Sequence, residues 1–243
     1  MEKLKLLTIA CSVLKDKLMA VSVPGVQFEF LQIGLHCTPT TMPTLIQEKI
    51  HQADDKIDYI VLGYGLCGNG TVGVKAEKQP LVIPKAHDCI SLFLGSSEAR
   101  QKQQQKAPGT YYLTKGWIEE GTPPLALLEE YTQRYGRKTA EWVISEEFKH
   151  YTRLALVDTG AYDVSAYRNR ARVNADFLGV AYEEIKGSLA LFKKMVKGQW
   201  DKDKFFILQP GEEITQKMFM SLIEDEILQP PEIFSNATPP FCQ

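Results

Sequence analysis

Short apolar runs alternate with amphipathic stretches along the first half of the chain, and that alternation constrains the fold more than any other feature. Residues 4–10, 28–34, 57–62, 81–83 and 110–114 each read as a buried strand of a few residues, bounded by turn formers. Between the second and third of these, residues 41–53 carry Met42, Leu45, Ile46 and Ile50 at helical spacing, with Pro43 suited to a first turn. Strands alternating with helices predict an α/β fold of mostly parallel sheets with flanking helices.

The rhythm breaks at residues 116–150, where two amphipathic stretches read as a helical connector, the first opened by Pro123-Pro124 and closed at Gly136. A first lobe at 1–115, a second α/β lobe at 151–228 and an extended tail at 229–243 complete the expected organisation. A gapless offset sets Leu6–Ala10 on Arg153–Val157, Phe30-Leu31 on Phe177-Leu178, Met42 and Leu45 on Leu189 and Phe192, and Ile60-Val61 on Ile207-Leu208. Shared patterning of this kind raises an internal duplication, two similar lobes facing across a cleft, against the accident that any two β-α-β units align.

Charge removes whole classes of function. The 28 basic residues nearly cancel the 30 acidic ones, leaving −2 with no block of like charge, so neither a nucleic-acid surface nor a polybasic membrane patch is expected. No apolar run approaches the roughly 18 residues of a membrane span. Lys3 and Lys5 precede a run ending in Cys11 that faintly resembles a lipoprotein cleavage site, but it is shorter than the roughly 7–15 apolar residues a signal needs. A cytoplasmic protein with reduced cysteines is the expectation.

Ligands in parallel α/β sheets collect at the carboxyl ends of strands. Cys11 directly follows the first strand, and His36-Cys37 follow the second. Cys67 lies in the loop after the third, and His87-Asp88-Cys89 follow the fourth. Taken singly, each cysteine reads as a small core hydrophobe; what favours a ligand set is their convergence on one edge. Cys11, Cys67, His87 and Cys89 form the expected set, with Cys37 able to replace Cys11, and three sulfurs with one nitrogen suit Zn²⁺ first and an iron–sulfur cluster second. His51 and His150 read as surface residues, and Cys242 in the tail as incidental.

The loop Gly63-Tyr64-Gly65-Leu66-Cys67-Gly68-Asn69-Gly70 offers a rival. Its Gly63, Gly65 and Gly68 match G-x-G-x-x-G after a strand, a spacing that lets backbone approach a pyrophosphate. The motif follows the third strand rather than the first, and no acid closes the next strand to hold a ribose. Gly63, Gly65, Gly68, Asn69 and Gly70 are therefore candidate cofactor contacts, for a nucleotide or for a flat cofactor wrapped by the loop. Asp158, in Asp158-Thr159-Gly160, is a candidate ligand contact at a strand end, against a local capping role. Tyr111, Tyr112, Lys115 and Trp117 read as an aromatic wall or as core, and Arg168, Arg170 and Arg172 as an anion contact or a solvated helix face.

The blocks Gly63–Gly70 and Pro84-Lys85-Ala86-His87-Asp88-Cys89-Ile90, with the adjoining Ser91–Gly95, resemble the prokaryotic domain-of-unknown-function family 1638. The resemblance implies a setting of anaerobic, corrinoid-linked one-carbon metabolism, with a corrinoid as a further cofactor and a corrinoid protein or methyltransferase as partner. His87-x-Cys89 is also similar to the pair by which zinc methyltransferases hold the ion that activates a thiol. In those enzymes the third ligand lies downstream on a barrel; here it would lie upstream, so the likeness is one of site, not of fold. The resulting expectation is a metal-binding protein acting in methyl transfer. A non-catalytic corrinoid-binding or maturation module and a nucleotide-binding enzyme stand as alternatives.

Overall fold

The computed structural model describes residues 4–35 and 40–220. It is a mixed α/β structure with a five-stranded sheet and a three-stranded sheet, flanked by helices. The first sheet begins with β1 (Leu6–Cys11), buried on both faces, as a central parallel strand must be. A short 3₁₀ turn (Ser12–Leu14) leads directly into α1 (Lys15–Ala20). The next strand, β2 (Val26–Leu31), lies at the sheet edge. Its alternation follows from that position: Val26, Phe28 and Phe30 turn inward while Gln27 and Glu29 meet solvent.

After α2 (Met42–His51), whose Pro43 stands in the first turn as expected, come β3 (Tyr59–Gly63) and β4 (Leu81–Pro84). The helices α3 (Cys89–Leu94) and α4 (Ser97–Lys106) follow. The chain then enters β5 (Thr110–Leu113), α5 (Lys115–Glu119), α6 (Pro124–Tyr135) and α7 (Arg137–Phe148). The last third comprises β6 (Arg153–Asp158), α8 (Ser165–Leu178), β7 (Ala181–Lys186), α9 (Ala190–Lys197) and β8 (Phe205–Leu208).

Sheet membership does not follow chain order. The first sheet runs β2-β1-β3-β4-β8 and the second β5-β6-β7. All pairs are parallel except β4 with β8, which run antiparallel from Leu81↔Leu208 to Pro84↔Phe205. Relative to the expected lobes at 1–115 and 151–228, β5 and β8 are exchanged between sheets. The offset alignment has the same limit. It sets β1 on β6, yet it places the end of β2 on the end of α8, and parallel β3 on antiparallel β8.

The two sheets share a core. One apolar cluster draws Ala10, Val61 and Val82 from the first sheet and Tyr112, Ala155, Val157 and Ile185 from the second, with Phe93 and α9 between them. The other face of the first sheet packs on α2 through Ile46 and Ile50, and the other face of the second packs on α6, α7 and α8. No helix among the described residues is long and apolar enough to cross a membrane.

Candidate functional site

Strand order fixes where a site can form. From β1 the chain moves outward to β2, then returns to lay β3 against β1's other side. The crevice of this sheet therefore opens between the carboxyl ends of β1 and β3. Cys11 is the last residue of β1, and Cys67 stands four residues beyond β3. Cys11 packs against the apolar clusters on both sides of the sheet; Cys67 joins the α2 side and Cys89 the side shared with the second sheet.

The loops after β3 and β4 are tied together. The Leu66 amide donates to the Ala86 carbonyl and the Cys67 amide to that of His87, both at 2.9 Å. Gly65 permits this approach, since a Cβ there would lie 2.4 Å from the Ala86 oxygen. Beyond it, Cys67 and Asn69 adopt left-handed backbone at φ 49° and 70°, a conformation that non-glycine residues seldom take outside constrained sites. At the start of α3, Asp88 accepts from the Ser91 amide at 2.9 Å and lies 3.6 Å from the Arg100 guanidinium, so Cys89 sits in a capped first turn.

Cys11, Cys67 and Cys89 are free, half-buried thiols, and each is within electrostatic reach of the other two. Burial raises all three: Cys11 to about 11, Cys67 to about 12 and Cys89 well above its usual value, although the Trp117 indole N–H donates to Cys89. They are protonated at neutral pH. His87 is half-buried beside them, and its carbonyl is committed to Cys67. Among the described residues, no three His, Cys, Asp or Glu side chains stand together closely enough to hold one metal ion as they are. Cys37 and His36 lie outside the described residues.

The glycine-rich loop lacks the setting of a dinucleotide site. No helix follows it before β4, so the strand–loop–helix order of a dinucleotide site is missing; the helix start that borders the loop is that of α3, with the Asp88 amide 3.0 Å from a Cβ added at Gly65. Close packing accounts for Gly63, whose Cβ would meet that of Ala10 at 2.4 Å, and for Gly70, which lies against Met42. Asp158 closes β6 and accepts from the Gly160 amide at 2.9 Å, a turn rather than a helix cap. Of the expected aromatic wall, Tyr112 and Trp117 reach the core between the sheets, while Tyr111 faces the opposite side. The arginines of α8 are occupied: Arg168 pairs with Glu184, Arg170 donates to the Ile118 carbonyl, and Arg172 lies over the Tyr182 ring.

One residue at this edge escaped the sequence reading. Lys17 is fully buried (0% exposed), donates to the Val13 carbonyl at 3.1 Å, and lies over the rings of Phe93 and Tyr162 at 5.0 and 5.3 Å. Burial lowers it to about 8, partly offset by Asp16 and Cys89, while Lys115 adds to the lowering. Its position was visible in principle: Lys17 falls one helical turn from Val13 and beside Leu14 and Leu18, on the apolar face of a short helix.

A family model described as "Protein of unknown function (DUF1638)" matches residues 30–196. The chain belongs to that family, and the match includes both blocks on which the resemblance rested. No curated protein and no solved structure matches the chain.

Proposed function

We propose that this family member is a metal-binding protein in which Cys11, Cys67 and Cys89, with His87 alongside, hold a soft metal centre at the carboxyl edge of the first sheet. Zn²⁺ is the first assignment and an iron–sulfur cluster the second. One observation carries the reading: three free thiols, at the end of β1, in the loop after β3 and in the first turn of α3 after β4, each in electrostatic reach of the other two at the carboxyl edge of the first sheet. A set of thiolates with an imidazole is a donor set for those metals rather than for Mg²⁺ or Ca²⁺. The side chains are not yet gathered around a point, so metal binding has to draw them inward. Cys67, in strained backbone beside Gly68, is the ligand best situated to move.

The proposed chemistry is methyl transfer. A zinc ion there would lower the pKa of an incoming thiol and hold it as a thiolate for a methyl donor. The corrinoid-linked setting, with a corrinoid protein or methyltransferase as partner, is what the family resemblance implies. A non-catalytic corrinoid-binding or maturation module is the second reading; tight cobalamin binding without turnover would select it.

The test is elemental analysis of the full chain purified without oxygen, beside Cys67→Ser. About one zinc per wild-type chain, lost in the variant with the circular dichroism spectrum unchanged, is the expected result. Iron with matching sulfide would select the cluster. A metal-free wild type, or full occupancy in Cys67→Ser, would sink the assignment.

A further inference from the structure

We propose that a second site lies in the seam between the two sheets, where the ammonium of Lys17 and the hydroxyls of Ser12, Thr114 and Thr159 bind the anionic group, carboxylate or phosphate, of a small ligand. The proposal is independent of any metal at the cysteines.

The seam can be traced residue by residue. Ser12 follows β1 and precedes Val13, whose carbonyl receives the Lys17 ammonium. Gly116 of α5 packs directly on Val13, with an added Cβ meeting its carbonyl oxygen at 2.8 Å, and this brings the preceding Thr114 to the same seam. The Lys115 amide donates to the Tyr162 hydroxyl at 2.9 Å, and the Tyr162 ring is one of the two faces under Lys17. The other face is the Phe93 ring; the Phe93 carbonyl and the Thr159 methyl both press on Gly187, where an added Cβ would meet them at 2.6 and 2.8 Å.

Four donor groups here are incompletely used. An ammonium has three N–H groups, and that of Lys17 makes one hydrogen bond. The hydroxyl oxygens of Ser12, Thr114 and Thr159 are buried with no partner. Buried polar groups are ordinarily paired, so orphaned hydroxyls on the segments that pack into the Lys17 seam mark a place for a missing acceptor. Asp16 does not supply it, because its carboxylate is bonded to Lys115 at 2.8 Å. An anionic group would accept from the ammonium and the hydroxyls together and offset the buried charge. The three hydroxyls stand at the carboxyl ends of β1, β5 and β6, where parallel sheets bind ligands. These atoms are closed to solvent, so entry needs a local opening of the seam.

Isothermal titration of the full chain with inorganic phosphate, and separately with acetate, tests the site, with thermal unfolding as a second readout. The expected result is saturable one-to-one binding of one probe with a raised Tm. Lys17→Met and Thr159→Val should each weaken that binding about tenfold or more while leaving circular dichroism unchanged. Phosphate alone would identify a phosphate ester as the ligand class, acetate alone a carboxylate. No binding of either probe on the order of 10 mM would overturn the proposal. Equal binding by wild type and both variants would overturn it too.

Discussion

The amide of Cys67 donates to the carbonyl of His87 at 2.9 Å, so the loop after β3 and the loop after β4 move as one unit. This contact carries the two signature blocks of the sequence into a single structure. It depends on Gly65, because the neighbouring bond from Leu66 to Ala86 needs backbone against backbone.

Gly65→Ala should therefore damage the candidate site out of proportion to its size. The added methyl would meet the Ala86 oxygen at 2.4 Å and the Asp88 nitrogen at 3.0 Å, and neither is a flexible side-chain end. A loss of about 1–3 kcal/mol in urea unfolding is expected, together with faster alkylation of Cys89. Unchanged stability would mean that the two loops are not held by this approach.

Asp88→Ala removes the cap of α3 and the partner of Arg100. About 1 kcal/mol of stability should be lost, as for other N-caps. Hydrogen exchange should show the increased opening in the amides of the first turn, beginning with Ser91, rather than across the sheet.

Burial keeps the three thiols protonated at neutral pH. In metal-free protein they should react with a soluble disulfide at least about a hundredfold more slowly than an unperturbed thiol, whose pKa is near 8.5. Stopped-flow absorbance measures this directly, and denaturant should restore the ordinary rate. In a Cys37→Ser, Cys242→Ser background, a fast phase in the folded protein would show an ionised thiol among the three that the packing does not account for.

Lys17 gives a pH dependence of known sign. Its folded pKa of about 8 lies below the ordinary 10.5, so between those values the unfolded chain binds the extra proton and stability rises with pH. Below that window the folded state carries the full cost of the buried charge, on the order of 3 kcal/mol. Lys17→Met should therefore be more stable than wild type at pH 7, with the difference shrinking through the window. The thiols act in the opposite direction above pH 9, so the informative quantity is the wild-type minus variant difference in unfolding free energy. A difference independent of pH would refute the buried-ammonium account.

Much of this arrangement is legible in the sequence because local burial writes local pattern. The run ending at Cys11 is apolar apart from Thr8 because β1 is covered on both faces, and the helix over Met42–His51 shows its buried Ile46 and Ile50 at the right spacing. The gathering of Cys11, Cys67 and Cys89 at one edge follows from parallel strands alone. What a local pattern does not encode is partner choice. Phe205–Leu208 looks like any short strand, and nothing within it says that it pairs antiparallel with β4 rather than beside β7. Nor does the sequence show that Gly63 and Gly70 serve packing, since a glycine forced by a neighbour and one offered to a ligand read alike. Lys17 was hidden by its charge, which normally signals solvent, although its neighbours placed it on the buried face.

The antiparallel strand β8 has a consequence for biosynthesis. Phe205–Leu208 and the segment after it stitch back to residues far upstream: Leu81–Pro84 in the sheet, the Val74 carbonyl from the Ile214 amide, and the Ala76 carbonyl from the Gly211 amide. On the ribosome, β4 emerges long before these partners exist. Its outer edge must wait through the making of the whole second sheet, with unpaired backbone groups open to any passing strand. Nascent chains stalled before Phe205 should therefore be the ones that chaperones hold longest.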